Sequence, residues 1–184
     1  MAAAPRRWAA EILHFWFHTL KPRDWYHGGD AVDQALRKRF APDLAALSAC
    51  SVSSFLSDPL TARAAVLLFD QVPRNLFRGS AESFAYDPLA RAITYGMLER
   101  EWDLLFPRAA RQFIAMPLMH SEEIVDQMNS LAYFVQLGPR YGWPFARSHY
   151  RMIARFGRFP HRNPALGRKS TPAEVRAVEA GNHW

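Results

Sequence analysis

The sequence predicts an all-α protein of seven to eight helices in antiparallel pairs. Apolar residues recur at helical spacing in most segments, as at Ile12, Phe15 and Trp16. Prolines and glycines mark short connections, and no stretch shows the sustained alternation of a strand. Short connections favour antiparallel neighbours. The pattern leaves open whether the helices form an irregular bundle or a solenoid.

The first two helices are predicted from their apolar faces. An aromatic face between Trp8 and Leu20 predicts the first helix. Residues 21–30, with one proline and two glycines, are predicted to form a loop. Asp30 is the predicted N-cap of the second helix, which Pro42 is expected to kink or restart.

The middle of the chain contains its most apolar helix. Residues 51–59 are polar and predict a connection, whereas residues 60–70 are so apolar that their helix is expected to be central. Residues 72–87 are predicted to form an ordered loop with one helical turn. Asp87 followed by Pro88 then predicts a helix start, with a capping carboxylate and proline in the first turn.

Capping signals also bound the helices of the second half. Ser121 is the predicted cap of one helix, Gly138 ends it, and Thr171 with Glu174 forms a predicted capping box. Residues 158–170 are predicted to form a loop. The helices are predicted at 107–116, 121–137, 144–156 and from 171 onward.

Composition excludes several classes of protein. The 184 residues suit one domain, 1–184, and an apolar fraction of 49% excludes disorder. The single Cys50 excludes a disulfide scaffold, and no apolar run is long enough for a membrane span. His14 and His18 interrupt the first apolar stretch, which argues against a signal peptide. We therefore expect a cytoplasmic protein without a membrane partner.

The positive charge is concentrated in one part of the chain. The net charge is +6, yet residues 127–173 contain no acid and eight of the 23 basic residues. The rest of the chain is slightly acidic. Such asymmetry indicates an anionic ligand, a polyanion, or an acidic partner within the same fold.

A first polar segment, residues 68–79, follows the apolar central helix. It contains Asp70, Arg74, Asn75 and Arg78. An arginine fork binds a carboxylate or phosphate in pairs of hydrogen bonds, so these side chains are candidate ligand contacts. The alternative is an ion pair that fixes the loop.

A second polar segment starts at His120. His120, Glu123 and Asp126 or Gln127 follow a spacing of three to four residues, which would place them on one helix face. That arrangement suits acid–base chemistry or a divalent metal. The segment lacks any known metal-ligand motif, so no metal is assigned, and the alternative is a capped, salt-bridged face.

A third polar segment, residues 155–163, is the most distinctive. Arg158, His161, Arg162 and Asn163 alternate there with aromatic and turn-forming residues. This chemistry suits a phosphate or carboxylate, and the acidic residues 122–126 are the alternative internal partner. Nucleic-acid binding is disfavoured, because no nucleic-acid motif is present.

The three segments also carry a family resemblance. Residues 68–79, 116–122 and 155–163, with the opening residues 12–17, resemble the bacterial domain-of-unknown-function 924 family. The resemblance runs nearly end to end, and it implies an all-α fold related to tetratricopeptide-repeat proteins, with no established activity. His14 departs from the family pattern, which has an acid before the Phe-Trp pair.

The leading hypothesis is an interhelical cleft that binds a small anionic or polar metabolite. Arg74, Arg158 and Arg162 would hold its oxygens; His120 or His161 would transfer a proton, oriented by Glu123 or Asp70. The sequence leaves open whether the protein is an enzyme, and it indicates no cofactor. The alternative is a non-catalytic module that binds a peptide or protein in a groove.

Overall fold

The computed structural model describes residues 4–27 and 29–182, and the only regular secondary structure in them is helical, which confirms the predicted fold class. None of those residues lies in a strand. A relationship to tetratricopeptide repeats stays a prediction. The helices are α1 (Arg7–His14), α2 (Pro22–His27), α3 (Asp30–Leu47), α4 (Val52–Phe55), α5 (Pro59–Val66), α6 (Val72–Leu76), α7 (Asp87–Glu99), α8 (Arg108–Met119), α9 (Ile124–Leu137), α10 (Trp143–Phe156) and α11 (Pro172–Glu179).

The chain divides into two compact units. The first unit comprises the chain through Arg78 together with Glu82–Phe106, and the second comprises Gly79–Ala81 with the chain from Pro107 onward. The single-domain organisation stays a prediction. In the described residues, no helix is both long enough and apolar enough to cross a membrane.

Helix α5 lies at the centre of the first unit, as its apolar sequence predicts. Residues 61–73 are buried without a break, and α5 packs against α1 and α7. Phe69 contacts Phe55 edge to face, with ring centroids 5.2 Å apart, and also packs against Tyr86 at 6.2 Å. Burial of such rings contributes strongly to a core, so this unit is built around α5 and the turn that follows it.

Two helices of the first unit widen into a π turn. Helix α1 continues into the turn Phe15–Thr19, and α5 continues into the turn Leu67–Gln71. A π turn inserts an extra residue and re-aims the side chains around it, and such turns are frequent at functional sites. The second turn contains Asp70, which is fully buried.

The second unit is a run of consecutive helices. Helix α9 packs against both α8 and α10, and α11 packs against the short turn Pro160–Arg162. Phe134 and Met119 belong to one apolar cluster, and Phe159 and Ile153 belong to another. Phe159 thus anchors the third polar segment in the core.

The structure corrects several predicted boundaries in the first unit. The segment predicted as a loop at 21–30 contains α2, and its Gly28 lies outside the described residues. Asp30 is the first residue of α3 rather than its N-cap, which is Gly29. Helix α3 runs through Pro42 without restarting. A proline removes only one backbone donor, and the packing of Phe40 and Leu44 on either side of it sustains the helix.

The connections in the middle of the chain are more helical than predicted. Residues 51–59 contain α4, whose Phe55 is fully buried. Residues 72–87 contain α6 and a short 3₁₀ turn at Ala81–Phe84. Both segments bury apolar side chains, and tertiary burial stabilises short helices that propensity alone does not predict.

The helix boundaries of the second unit are largely as predicted. Helix α9 ends at Leu137 before Gly138, and α10 ends at Phe156 before Gly157. The capping box is confirmed: Thr171 Oγ1 accepts the Glu174 N–H, and the Glu174 carboxylate accepts the Thr171 N–H. Helix α8 is longer than predicted and continues through Pro117 to Met119.

Two glycines flanking α10 provide a test of its packing. Gly142 and Gly157 both adopt left-handed backbone angles, with φ of 103° and 67°. A Cβ at Gly142 would lie 3.0 Å from the ring of Phe134, whereas a Cβ at Gly157 would meet nothing within 4 Å. Both alanine variants carry backbone strain of about 1–2 kcal/mol, and Gly142→Ala adds an overpacking cost of about 1–3 kcal/mol.

We therefore expect Gly142→Ala to lower the free energy of unfolding by more than Gly157→Ala does. Urea denaturation of the two variants and the wild type measures the difference. Equal losses in the two variants would contradict the described packing of Phe134 against the start of α10.

Candidate functional site

The first polar segment forms a buried ion-pair network within the first unit. Arg74 Nη1 lies 3.2 Å from Asp70 Oδ1, and Arg74 Nη2 donates to Asp87 Oδ2 at 2.9 Å. Burial alone would lower the pKa of Arg74, but the two carboxylates outweigh it and raise that pKa. Asp87 is the first residue of α7 and not its predicted cap, because its carboxylate is directed to Arg74.

The remaining residues of this segment also bind within the first unit. Arg78 donates from Nε and Nη2 to the two carboxylate oxygens of Asp33, at 2.9 and 3.1 Å, and from Nη2 to Asn75 Oδ1 at 2.7 Å. Asn75 Nδ2 donates to the carbonyl of Gln71. These contacts match the alternative in which the segment fixes its own loop, and a role in ligand binding stays a prediction.

The second polar segment does not place its residues on one helix face. His120 directly follows α8, and α9 begins only at Ile124, so the chain turns between His120 and Asp126. Glu123 is exposed, whereas Asp126 is buried and accepts the Ser121 hydroxyl at 2.6 Å. Ser121 Oγ also accepts the Glu123 N–H, so Ser121 supports the start of α9 from a position before the cap.

Glu122 joins the second polar segment to the third. Its carboxylate accepts the backbone N–H of Phe159 at 2.8 Å and two hydrogen bonds from Arg168, at 2.8 and 2.9 Å. Burial would raise the pKa of Glu122, but these donors outweigh it and lower that pKa. The predicted pairing of the acidic residues with the basic segment is thus made by Glu122.

Glu174 also binds the third polar segment, through Arg158. Arg158 donates to its two carboxylate oxygens, at 2.6 and 3.0 Å, and to the carbonyl of Lys169. The Arg158 hydrogen bonds, with the Thr171 N–H, lower the pKa of Glu174 to about 2. Asn163 is fully buried and donates to Ser170 Oγ at 3.0 Å. The loop from Phe159 to Ser170 is therefore tied to two acidic residues.

Two histidines and one arginine lie beside Phe159 in the second unit, and a third histidine lies beside one of those histidines. The His149 ring lies 5.3 Å from the Phe159 ring and 6.3 Å from the His120 ring, and the His161 ring lies 5.6 Å from Phe159. The Arg162 guanidinium carbon lies 4.5 Å from the centre of the Phe159 ring. We call His120, His149, His161 and Arg162 the histidine cluster.

The histidine cluster combines a buried neutral imidazole with a buried cation. His149 Nδ1 lies 2.8 Å from the carbonyl oxygen of Phe145, so Nδ1 carries the proton and donates it. Burial, with the nearby charges of His120, Arg162 and His161, lowers the pKa of His149 to about 3. Arg162 Nη2 donates to the carbonyl of His120 at 2.8 Å and bridges the two polar segments.

Sequence reasoning identified three members of this cluster and missed His149. Arg147, Arg151 and Arg155 lie on the exposed face of α10. His149 lies on the buried face with Ala146 and Ile153. His149 follows Ala146 by three residues and precedes Ile153 by four, so the three share one helix face. This apolar spacing is the sequence signal that could have predicted the burial of His149. Glu174 was also missed as a partner, because it lies just beyond the acid-free segment.

The predicted site residues thus fall into two sets. His120, Asp126, Arg158, His161, Arg162, Asn163 and Glu123 belong to the second unit, and Asp70, Arg74, Asn75 and Arg78 belong to the first. Within residues 4–27 and 29–182, no group of three or more histidine, cysteine or acidic side chains could hold a metal ion.

Comparison with known proteins agrees with the fold and the motifs. A family model described as "Bacterial protein of unknown function (DUF924)" matches residues 12–182, and the chain belongs to that family. The chain is similar to a solved protein of unknown function, ATU0120 from Agrobacterium tumefaciens. That structure has 35% sequence identity and a TM-score of 0.89, with 94% of this chain and 97% of that chain covered. No curated protein matches.

Arginines 74 and 78 provide a matched pair of variants. Replacing Arg74 with Met leaves the buried charge of Asp70 without its cation, which costs about 3–5 kcal/mol. Replacing Arg78 with Met removes an ion pair whose arginine side chain is half exposed, which costs less than about 1 kcal/mol. Chemical denaturation measures the free energy of unfolding of both variants. A loss of less than about 1 kcal/mol for Arg74→Met would contradict a buried ion-pair network.

The buried imidazole of His149 predicts acid sensitivity. Its pKa is about 3 in the folded protein, below the ordinary 6.5 of the unfolded chain, so its stabilising contribution is complete above pH 6.5 and is lost as the pH falls toward 3. Between pH 6.5 and 5, we expect it to lower the free energy of unfolding by about 1–2 kcal/mol. Below about pH 4.5, Glu122 and Glu174 add to the loss.

The test compares urea denaturation at pH 6.5 and 5 for three proteins. His149→Asn keeps a hydrogen-bond donor near the Phe145 carbonyl. In this variant the free energy of unfolding should change less between pH 6.5 and 5 than in the wild type. The exposed His14 is the control, and His14→Asn should retain the wild-type slope. If the free energy of unfolding of His149→Asn depends on pH as strongly as that of the wild type, His149 is not the buried neutral imidazole described here.

Proposed function

We propose that the protein binds a small anionic metabolite at the histidine cluster. The observation that carries the proposal is the grouping of two imidazoles and one guanidinium around Phe159, with the His120 ring beside that of His149. Like groups of this kind disfavour one another's protonated forms, and an anion relieves that repulsion.

Burial differs across the histidine cluster in a way that suits a small ligand. His149 and Arg162 are buried, whereas His120 and His161 are only half-buried and so reach the surface. A guanidinium can bind a carboxylate or phosphate through two N–H groups, and a half-buried imidazole can add a hydrogen bond or transfer a proton. Arg162 would hold the oxyanion, with His120 and His161 at the reacting or recognised end.

The other predicted ligand contacts carry less of the proposal. Arg74, Arg158 and Arg78 each bind carboxylates of the chain itself, and Asp70 binds Arg74. We assign these side chains a structural role, in which each stabilises the fold of its own unit. Glu123 is exposed at the start of α9, and its predicted part in orienting a histidine stays a prediction.

A second candidate function is an interaction module, which one surface feature favours. Ile124, Val125, Met128 and Val135 are 42–62% exposed along α9, and Phe145 at the start of α10 is 52% exposed. Exposed apolar side chains at helical spacing are typical of a surface that docks an apolar partner. On this reading the histidine cluster would be an internal structural tie.

Thermal-shift and calorimetric titrations with phosphate and succinate test the proposed function. Ligand at one hundred times its dissociation constant should stabilise the wild type by about 2.7 kcal/mol. Arg162→Met and His161→Asn should each weaken binding at least tenfold. Arg155→Met changes an exposed arginine of α10 and should bind as the wild type does.

The two candidate functions give opposite results in these titrations. If no anion of the panel stabilises the wild type, or if Arg162→Met and His161→Asn bind as tightly as Arg155→Met, the proposed function is wrong. The interaction module predicts instead that only Met128→Lys, on the exposed stripe of α9, impairs binding of an apolar partner.

A further inference from the structure

Arg63 is a buried arginine of the first unit that has no carboxylate partner among the described residues. Arg63 lies on α5 in the first unit, and only 6% of its surface is exposed. Its guanidinium carbon lies 3.9 Å from the centre of the Phe17 ring and 4.7 Å from the centre of the Phe106 ring. Cation–π contacts of this kind offset part of the cost of burying a cation, but they supply no oxygen for its N–H groups.

Arg63 Nε has no hydrogen-bond partner within residues 4–27 and 29–182, and no carboxylate there lies within ion-pair distance of the side chain. Arg74, on the same unit, is paired with two carboxylates. Burial lowers the pKa of Arg63 to about 10, so it stays charged near neutral pH. An uncompensated buried cation is costly, and such groups are ordinarily paired.

The surroundings of Arg63 define the ligand that would pair with it. A guanidinium stacked on an aromatic ring keeps its N–H donors in its own plane, where a bidentate oxyanion binds. One positive charge is balanced by one negative charge. A phosphate dianion would leave excess negative charge beside the negative faces of two phenyl rings.

We propose that Arg63, Phe17 and Phe106 form a binding site for a small monocarboxylate with an apolar body. The carboxylate pairs with the in-plane N–H groups of Arg63, and the apolar body packs against the two rings. Phe17 is half-buried and lies in the π turn Phe15–Thr19, so the site reaches the surface through a segment whose geometry re-aims a side chain. This site is independent of the histidine cluster.

The experiment compares butyrate with butyramide, which has the same shape and no charge. Butyrate should raise the melting temperature of the wild type and bind with one-to-one stoichiometry in calorimetry, and butyramide should do neither. Inorganic phosphate should bind at least tenfold more weakly than butyrate. Equal responses to butyrate and butyramide, tighter binding of phosphate, or no response to butyrate would overturn the proposal.

Three variants locate the response. Arg63→Met should weaken butyrate binding at least tenfold without lowering the melting temperature of the ligand-free protein, since it removes an unpaired buried charge. Arg39→Met, which changes an exposed arginine over Phe15, should respond as the wild type does. Arg162→Met should also respond fully, which separates this site from the proposed function.

Each pattern of variant results decides the proposal. Butyrate binding retained in Arg63→Met, or lost in Arg162→Met, would overturn it. Should Arg63→Met fail to fold, Arg63 would be a structural residue, and the proposal would be wrong unless Phe106→Leu folds and binds butyrate more weakly than the wild type.

Discussion

The carboxylate of Glu122 is the contact on which the arrangement of the second unit depends. It accepts the Phe159 N–H and hydrogen bonds from both Nη atoms of Arg168, and so ties the third polar segment to the loop that follows it. Phe159 is thereby held in the core, beside His149, His161 and Arg162. Charge-assisted hydrogen bonds are roughly twice as strong as neutral ones, so one half-buried side chain can order a loop that has little regular structure.

The uneven charge of the sequence has a local explanation. The acid-free segment is met by carboxylates at its two borders: Glu122 lies before it and binds Arg168, and Glu174 lies after it and binds Arg158. Arg162 lies between them and donates to a backbone carbonyl. Arg147, Arg151 and Arg155 of the same segment are exposed on α10, where solvent and salt screen their charges.

Local signals predicted the helices, and tertiary contacts determined the site. The central position of residues 60–70 and the capping box at Thr171 follow from apolar content and from side chain to backbone chemistry a few residues apart. The pairing of Arg158 with Glu174, sixteen residues away, and the inward position of His149 depend on how helices pack. The burial of Arg63 likewise depends on rings 46 and 43 residues distant in the chain, and no spacing rule reaches so far.

The capping box of Thr171 and Glu174 joins the start of α11 to the third polar segment. The Glu174 carboxylate accepts hydrogen bonds from the Thr171 N–H and from Arg158, so the first turn of α11 and the basic loop share one acceptor. Fraying of α11 would release Arg158 and loosen the loop that carries Phe159 and Arg162. Helix α11 therefore stabilises the loop that carries part of the histidine cluster. In hydrogen exchange, α11 and this loop should open together as one cooperative unit.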